Sequence, residues 1–317
     1  MSHAEAAGVL VQARGLTKRF GNFTAVDGID FSISRGEAFG FLGPNGAGKS
    51  STMRMIGCVS PPTGGDLTIL GLDPVTNGPA IRARLGVVPQ ENTLDVELTV
   101  RENLLVYGRY FGLPRALIRE RSAMLLDFVQ LSDRAEDQVE PLSGGMKRRL
   151  VIARSLINEP DILLLDEPTT GLDPQARHIV WDRLFRLKQR GVTLILTTHY
   201  MDEAEQLCDR LVVMDGGRIA AEGSPRALIG RYSTPEVLEL RFDPGDHEQA
   251  AEKLAALPAG PAERLEVLAD RVLVYTRNGD EALVTVRGLG LEPLTSLARR
   301  STLEVVFLRL TGRHLDD

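Results

Sequence analysis

The chain has 317 residues, 43% of them hydrophobic and 25% charged, a composition that is typical of folded globular proteins and excludes a disordered or fibrous one. Its formal net charge of −6 at pH 7 argues against a nucleic-acid-binding protein, because such proteins depend on clustered positive charge. No run approaches the roughly 20 consecutive apolar residues of a membrane-spanning helix, so we expect no intrinsic membrane span, and the two cysteines fit a reducing, cytosolic compartment.

The length predicts one large domain and one smaller one, since domains usually hold roughly 100 to 200 residues. We expect a tail at residues 1–8, a large domain at 9–231 and an accessory domain at 232–317. The tail lacks the basic and apolar regions of a secretion signal.

The large domain begins with strands and glycine turns that lead to a phosphate-binding loop. Apolar runs at residues 9–16, 26–33 and 37–42 predict strands, and a helix follows near Lys49. Between the last strand and the helix, Gly43-Pro-Asn-Gly-Ala-Gly-Lys-Ser50 matches the pattern G-x-x-x-x-G-K-[ST], whose backbone N–H groups surround phosphate oxygens. We expect Lys49 to neutralise the β- and γ-phosphates and Ser50 to bind Mg²⁺. The predicted nucleotide-binding residues of this loop are Gly43, Pro44, Asn45, Gly46, Ala47, Gly48, Lys49, Ser50 and Ser51.

Apolar residues recur at three- and four-residue steps from about residue 97 to 139, which predicts an inserted helical subdomain at about 91–150. Beyond it, a helix at 145–158, a strand at 162–165, a helix at 174–190 and a strand at 193–197 restore the alternation of buried strands and helices. This alternation predicts an α/β fold with a largely parallel sheet.

The run Ile162-Leu-Leu-Leu-Asp166-Glu167 is an apolar strand that ends in two carboxylates. Neighbouring side chains of a strand point to different faces, so the two acids can have different roles. We expect Asp166 to hold Mg²⁺, directly or through water, and Glu167 to orient or deprotonate the attacking water in phosphoryl transfer. A solvated acidic pair is the alternative, and the nearby phosphate loop makes it the weaker one.

A second phosphate-binding helix start is predicted at Leu142-Ser-Gly-Gly-Met146, where Ser143, Gly144 and Gly145 precede a helical run. Helix capping would explain an isolated Ser-Gly-Gly equally well. The combination with the other two motifs makes this segment specific.

The accessory domain has a different pattern, with predicted strands at 237–242 and within 265–276, and helices at 247–257 and 302–310. We interpret it as a small α+β appendage with a structural or regulatory role. Leu303, Val306, Phe307 and Leu310 form an apolar stripe along the last helix. The stripe could cover the appendage's own sheet or meet its counterpart in a dimer.

The motifs, in this order and spacing, resemble those of the ATP-binding subunits of ABC transporters over about residues 9–230. The resemblance implies a P-loop NTPase fold that hydrolyses ATP with Mg²⁺. It also implies that Phe20 stacks on adenine, that Gln90 senses the γ-phosphate and joins Ser50 and Asp166 at Mg²⁺, that Asp173 forms the D-loop, and that His199 is the switch histidine acting with Glu167. Phe20 could instead be a core residue, and His199 a surface residue at a strand end.

Four segments resemble more closely the drug-resistance and nodulation-factor branch of exporter ATPases, especially the nodulation-factor (lipo-chitooligosaccharide) type. They are residues 99–112, 146–150, 173–181 and 306–313. This resemblance implies a homodimer that shares its nucleotide sites, paired with a separate polytopic permease at the cytoplasmic face of the inner membrane. Two positions depart from the pattern: Met146 replaces the common Gln, and Val305 replaces the Asp of Leu-Glu-Asp-Val-Phe.

We therefore expect an ATP-hydrolysing motor subunit of a bacterial ABC exporter, with a nodulation factor or a drug- or lipid-like molecule as cargo. A soluble ABC-type ATPase acting on ribosomes or DNA is the alternative, but it would carry two cassettes, long coiled coils or zinc modules. A nucleotide-binding regulator without activity is a further alternative, and it would be expected to lack Glu167 or His199.

Overall fold

The computed structural model describes residues 8–243, 245–255 and 264–312, and the chain divides between Ser224 and Pro225 into two compact units. The strands of the first unit are β1 (Val9–Phe20), β2 (Phe23–Ser34), β3 (Ala38–Leu42), β4 (Gly64–Ile69), β5 (Leu85–Val88), β6 (Ile162–Asp166), β7 (Thr193–Thr198), β8 (Arg210–Asp215) and β9 (Arg218–Gly223). Its helices are α1 (Lys49–Ile56), α2 (Gly78–Arg82), α3 (Val100–Tyr110), α4 (Arg115–Phe128), α5 (Gly144–Ser155), α6 (Pro174–Gln189) and α7 (Met201–Leu207), with a 3₁₀ turn at Ser132–Arg134.

A six-stranded sheet in the order β5-β6-β7-β3-β8-β9 forms the centre of the first unit. Strands β5, β6, β7, β3 and β8 are parallel, whereas β9 pairs antiparallel with β8. Every residue of β3 and β7 is buried; β3 is an apolar run, and β7 places Leu194, Ile195 and Leu196 between buried threonines. The predicted α/β fold with a largely parallel sheet is confirmed.

A second, antiparallel sheet in the order β2-β1-β4 contributes to the same hydrophobic core as β3 and α1. The ring of Phe41 packs edge to face against the rings of Phe31 and Phe39 within this core. At the start of α1, Gly48 has a φ of 99°, and a Cβ atom there would lie 2.4 Å from the carbonyl oxygen of Ala25. Only glycine fits this position, which joins the phosphate loop to the second sheet.

Helices α3, α4 and α5 form the expected helical subdomain around an apolar core of their own. Thr99 begins α3 with a capping box: its hydroxyl accepts from the N–H of Glu102, and the Glu102 carboxylate accepts from the N–H of Thr99. The subdomain is part of the first unit, and α5 carries the Ser-Gly-Gly segment at its N-terminus.

The second unit contains α8 (Pro225–Tyr232), β10 (Glu236–Arg241), α9 (His247–Ala255), β11 (Arg264–Leu268), β12 (Arg271–Thr276), α10 (Gly279–Gly288), β13 (Thr295–Arg300) and α11 (Leu303–Thr311). Its sheet has the order β11-β12-β10-β13, with every pair antiparallel, so the elements from β10 to β13 form a ferredoxin-like βαββαβ arrangement. Helices α9 and α10 share one core with the sheet, and Val305 of α11 packs with Val237, Leu273 and Tyr275.

Two features of this unit differ from the sequence-based expectation. Helix α8 belongs to the second unit, so the division at Pro225 precedes the expected start at residue 232, which is the last residue of α8. The stretch 265–276 is a hairpin of two strands.

Of the apolar stripe, Leu303, Val306 and Phe307 are buried within the single chain and Leu310 is half-buried. No helix in the described part of the chain is both long and apolar enough to span a membrane.

Candidate functional site

The carboxyl ends of four neighbouring parallel strands meet at one edge of the main sheet. Strand β3 leads into the phosphate loop, β6 ends at Asp166, β7 is followed by His199, and β5 is followed by Gln90. This edge is where open α/β sheets usually bind ligands. The topology therefore brings together four motifs that lie far apart in the sequence.

The phosphate loop lines a cavity of about 220 Å³. Eight of the predicted loop residues contribute to its wall: Pro44, Asn45, Gly46, Ala47, Gly48, Lys49, Ser50 and Ser51. Gly43 contributes its carbonyl oxygen, which accepts from Lys49 Nζ at 2.6 Å, while the Pro44 carbonyl accepts at 3.0 Å. Burial lowers the pKa of Lys49, and the carboxylates of Glu167 and Asp166 oppose this shift. The ammonium group is thus held at the cavity wall and faces a site for negative charge.

Four oxygen-bearing side chains lie in or beside this cavity. The hydroxyl of Ser50 donates to Asp166 Oδ1 at 3.5 Å, and the hydroxyl of Thr197 donates to the same oxygen at 2.5 Å. Gln90 lines the cavity with Ser50. Hydroxyl, carboxylate and amide oxygens are the ligands that Mg²⁺ prefers, so the donor set fits the predicted metal.

The carboxylate of Glu167 has more side-chain partners than the other carboxylate of the site, Asp166. Its Oε2 accepts from Gln90 Nε2 at 3.0 Å and from the Thr170 hydroxyl at 3.1 Å, and its Oε1 lies 3.3 Å from His199 Nδ1. Contact with His199 lowers the pKa of Glu167; burial opposes the shift, and Lys49 and Thr170 add to it. Glu167 is therefore ionised at neutral pH and can accept a proton.

The Ser-Gly-Gly segment and Asp173 lie outside this cavity. Ser143 caps α5 by accepting from the N–H of Met146 at 3.3 Å, and Asp173 caps α6 by accepting from the N–H of Ala176 at 2.9 Å. A Cβ atom at Gly145 would lie 2.8 Å from the Cβ of Ala176, so this glycine allows the two helices to approach closely. Within one chain these residues are helix starts, and Ser143 and Gly144 face solvent.

Two aromatic residues lie at the turn between β1 and β2. Phe20 is 50% exposed and pairs with Phe23, which is 62% exposed and lines the cavity. The ammonium of Lys18 lies 5.1 Å from the centroid of the Phe20 ring. Phe20 is not a core residue, and Phe23 is a cavity residue that the sequence analysis did not identify.

Several further polar residues at the site were not predicted from the sequence. Thr170 and Thr197 bind the two acids, and Arg148 contacts the loops that carry Gln90 and Glu167. A threonine beside an acidic motif has no distinctive pattern, whereas Arg148 is an arginine on a helix face that is otherwise buried, which is a usable signal. Among the described residues, no cluster of three or more His, Cys, Asp or Glu forms a separate metal site.

Comparison with known proteins finds a family match in each of the two units. A profile of ABC transporters matches residues 26–170, and a profile of the C-terminal domain of the nodulation factor export protein NodI matches residues 248–312. The chain is 47% identical to Nod factor export ATP-binding protein I of Ralstonia nicotianae, over 97% of this chain and 95% of that protein. It is 46% identical to the protein of the same name from Rhizobium meliloti, over 98% of this chain and 90% of that protein.

Solved structures of ATP-binding subunits share the fold. An ATP-binding subunit of an ABC transporter aligns with a TM-score of 0.64 at 30% identity, over 70% of this chain and 93% of that chain. A dimeric ATP-binding cassette in a post-hydrolysis state, bound to ADP and Pi, aligns with a TM-score of 0.62 at 28% identity, over 68% of this chain and 98% of that chain. These likenesses favour a transport ATPase over a soluble ATPase acting on ribosomes or DNA.

Proposed function

The chain belongs to the ATP-binding subunits of ABC transporters, and we propose that it powers the export of a Nod factor-type molecule through a separate membrane permease. The ATPase motor role comes with the family. The observation that supports the cargo is the near-complete coverage by Nod factor export proteins, which includes the second unit as well as the ATPase unit. We place the protein at the cytoplasmic face of the inner membrane, where the permease would hold it.

The geometry of Glu167 supports its role as the general base. A water molecule next to the γ-phosphate would attack the phosphorus atom, the bond to the ADP oxygen would break, and Glu167 would accept the proton of the water. Gln90 and Thr170 hold Oε2, which leaves Oε1, on the His199 side, to receive that proton. His199 orients the carboxylate and keeps it ionised.

The phosphate loop would bind the nucleotide. Its N–H groups and the N-terminus of α1 attract the phosphates, and Lys49 would exchange its two carbonyl partners for β- and γ-phosphate oxygens. Ser50, Asp166 and Gln90 would hold Mg²⁺, which neutralises charge on the phosphates when it is bound. Phe20 would provide the face on which adenine stacks.

We propose that two copies of the chain share each nucleotide. Ser143 and Gly144 are exposed at a helix N-terminus yet lie outside the cavity of their own chain, so they would reach the phosphates from a second copy. Asp173 is exposed at the start of α6, where Ala176 packs near Gly145, so it would belong to the same interface. One chain alone would then provide two incomplete halves.

The substitution Glu167→Gln tests both the base and the shared site. The amide keeps the shape of the side chain but cannot accept a proton, so we expect ATP binding to persist while kcat falls by about 10² to 10⁴. With ATP, the variant should have twice the 34.7 kDa mass of one chain by light scattering. A variant that remains monomeric at saturating ATP would contradict the shared site, and wild-type turnover would contradict the base.

We propose that the permease docks in a groove of about 370 Å³ beside the helical subdomain. The groove is lined by the end of β5, the segment after it, α3 and one residue of α5, including Val87, Asp95, Tyr107, Tyr110 and Arg154. Tyr110 is 79% exposed and Val87 is 42% exposed, so aromatic and apolar surface is available to a partner. Arg154 donates to the carbonyl of Thr93 and lies 4.7 Å from the Tyr107 ring, which ties the groove to the Gln90 segment.

Charge reversal at the groove tests this docking site. Asp95→Lys in the groove and Glu97→Lys in the same exposed segment should abolish ATP-driven transport in membrane vesicles that contain the permease, while the ATPase activity of the isolated chain persists. Glu120→Lys, an exposed acid on α4 that does not line the groove, is the control and should leave transport unchanged. Normal transport by the Asp95 and Glu97 variants would place the permease contact elsewhere.

A further inference from the structure

Arg148 is a buried arginine that joins α5 to two separate loops of the catalytic site. It is the fifth residue of α5 and is only 4% exposed. Its guanidinium group donates hydrogen bonds to backbone carbonyl oxygens alone. Nε donates to the carbonyl of Pro168 at 2.6 Å. Nη1 donates to the carbonyl of Pro89 and, at 3.3 Å, to that of Gln90. Nη2 donates to the carbonyls of Asp166 at 3.1 Å and Glu167 at 3.2 Å.

Burial of this charge has to be offset by the groups around it. Burial lowers the pKa of Arg148 to about 10, and the carboxylates of Glu203 and Asp166 oppose the shift. The hydrogen bonds come from a planar, rigid group, so they fix the directions of their acceptors as well as their distances. The two loops are therefore held in one orientation relative to α5.

The side chains carried by these two loops meet each other in the site. Gln90 Nε2 donates to Glu167 Oε2 at 3.0 Å, and the backbone carbonyls of both residues accept from Arg148. On its other side, the N–H of Glu167 donates to the carbonyl of Thr197 at 3.1 Å. A change in the position of α5 would thus move the backbones of Glu167 and Gln90 together.

We propose that Arg148 is a positioning residue for ATP hydrolysis, which transmits the position of the helical subdomain to Gln90 and Glu167 at the same time. This inference rests on the proposed roles of those two residues. Because Ser143 caps the N-terminus of α5, the same helix would link the arrival of a second chain at the Ser-Gly-Gly segment to the alignment of the base in its own chain. Arg148 itself touches no part of the reacting atoms.

Arg149 provides a matched control on the same helix. Its guanidinium donates to the carbonyl oxygens of Val129 at 2.7 Å and Gln130 at 3.5 Å, which lie within the helical subdomain and outside the catalytic site. It is half-buried, and burial lowers its pKa as well. Substitution of Arg149 removes similar hydrogen bonds without touching either catalytic loop.

The test compares Arg148→Lys and Arg148→Gln with Arg149→Lys and Arg149→Gln in the full-length chain. We expect both Arg148 variants to bind ATP within about threefold of wild type and to lose at least tenfold in kcat, because lysine keeps the charge but cannot span two loops. The Arg149 variants should keep kcat within about twofold. Equal losses at the two positions, or wild-type kcat for Arg148→Lys, would overturn the inference. The inference would also be overturned if both Arg148 variants unfolded at a temperature where the Arg149 variants stay folded, since Arg148 would then serve to stabilise the fold.

A double substitution separates positioning from general destabilisation. If Arg148 acts through the Gln90 and Glu167 pair, Arg148→Lys combined with Gln90→Ala should lose little more activity than the worse single variant. Independent losses would multiply and would contradict the inference. Glu167→Gln serves as the reference: wild-type turnover by that variant would remove the proposed base, whereas an inactive Glu167→Gln with a normal Arg148→Lys would remove only the role of Arg148.

Discussion

The backbone of Glu167 lies in the left-handed region, which residues other than glycine usually avoid. Its φ is +45°, and a left-handed residue other than glycine costs about 1 to 3 kcal/mol unless its surroundings hold it. Here the N–H donates to the carbonyl and hydroxyl of Thr197, both at 3.1 Å, and the carbonyl accepts from the N–H of Thr170 at 3.3 Å. The Glu167 carboxylate contacts Gln90, Thr170 and His199, whereas the Asp166 carboxylate contacts Ser50 and Thr197, so the two adjacent acids can act separately.

Substitutions of Phe20 and Phe23 would distinguish which of the two rings contacts the adenine base. If Phe20 stacks on adenine, Phe20→Ala should weaken ATP binding by about 1 to 3 kcal/mol, and Phe23→Ala should have a smaller effect. Stacking needs only the face of a ring, so Phe20→Trp should bind ATP normally. Calorimetric titration with ATP measures all three variants. A larger loss for Phe23→Ala would assign the base contact to Phe23, which lines the cavity.

The residues of the site that follow a fixed spacing were predictable from the sequence, whereas their partners were not. A phosphate loop needs glycines and a lysine at set positions, so Gly48 and Lys49 were identifiable. Thr197 donates to Asp166 Oδ1 from 31 residues away in the sequence, and Arg148 donates to the Asp166 carbonyl from 18 residues away. Such contacts depend on the order of strands in the sheet, which local patterns do not encode.

The helical subdomain depends on its first helix being fixed at the N-terminus. Thr99→Ala would leave the N–H of Glu102 without its cap and should lower the stability of α3 by about 1 kcal/mol. Thr99→Ser retains the hydroxyl oxygen and should restore most of that stability. Hydrogen exchange of the α3 amides under native conditions measures the change locally. Equal protection in all three proteins would mean that packing, not the cap, holds α3.

Elements with a strong periodic or apolar pattern were predicted, and exposed or short elements were missed. The apolar segments 38–42, 162–165 and 194–196 revealed β3, β6 and β7, because these segments are buried on both faces of the sheet. Strand β13 is almost wholly exposed, so Thr295–Arg300 has no alternating pattern. The hairpin of β11 and β12 turns at Ala269 and Asp270, which lack the glycine or proline that usually reveals a turn.

At the scale of the whole molecule, the second unit is an independent fold joined to the ATPase unit through α8. Its sheet has its own core, and the apolar residues Leu303, Val306 and Phe307 are buried without a second chain. This burial favours the interpretation in which the stripe belongs to an internal core. If two copies of the chain meet only through the proposed shared nucleotide sites, the nucleotide-free chain should be monomeric.

Two truncations test where the ATPase unit ends. A chain of residues 1–224 should fold, bind ATP and unfold in one thermal transition, because every nucleotide-binding residue and the core of the first unit lie before Ser224. A chain of residues 1–232 would add α8 without α11, although Arg309 of α11 donates to the carbonyl of Tyr232 and Leu228 is 1% exposed in the complete protein. Exposure of a buried leucine costs about 1.5 to 3 kcal/mol, so the longer chain should aggregate at a lower temperature, as measured by light scattering during heating. If the 1–232 chain were the more soluble of the two, α8 would belong to the ATPase unit, and the boundary at residue 232 expected from the sequence would be correct.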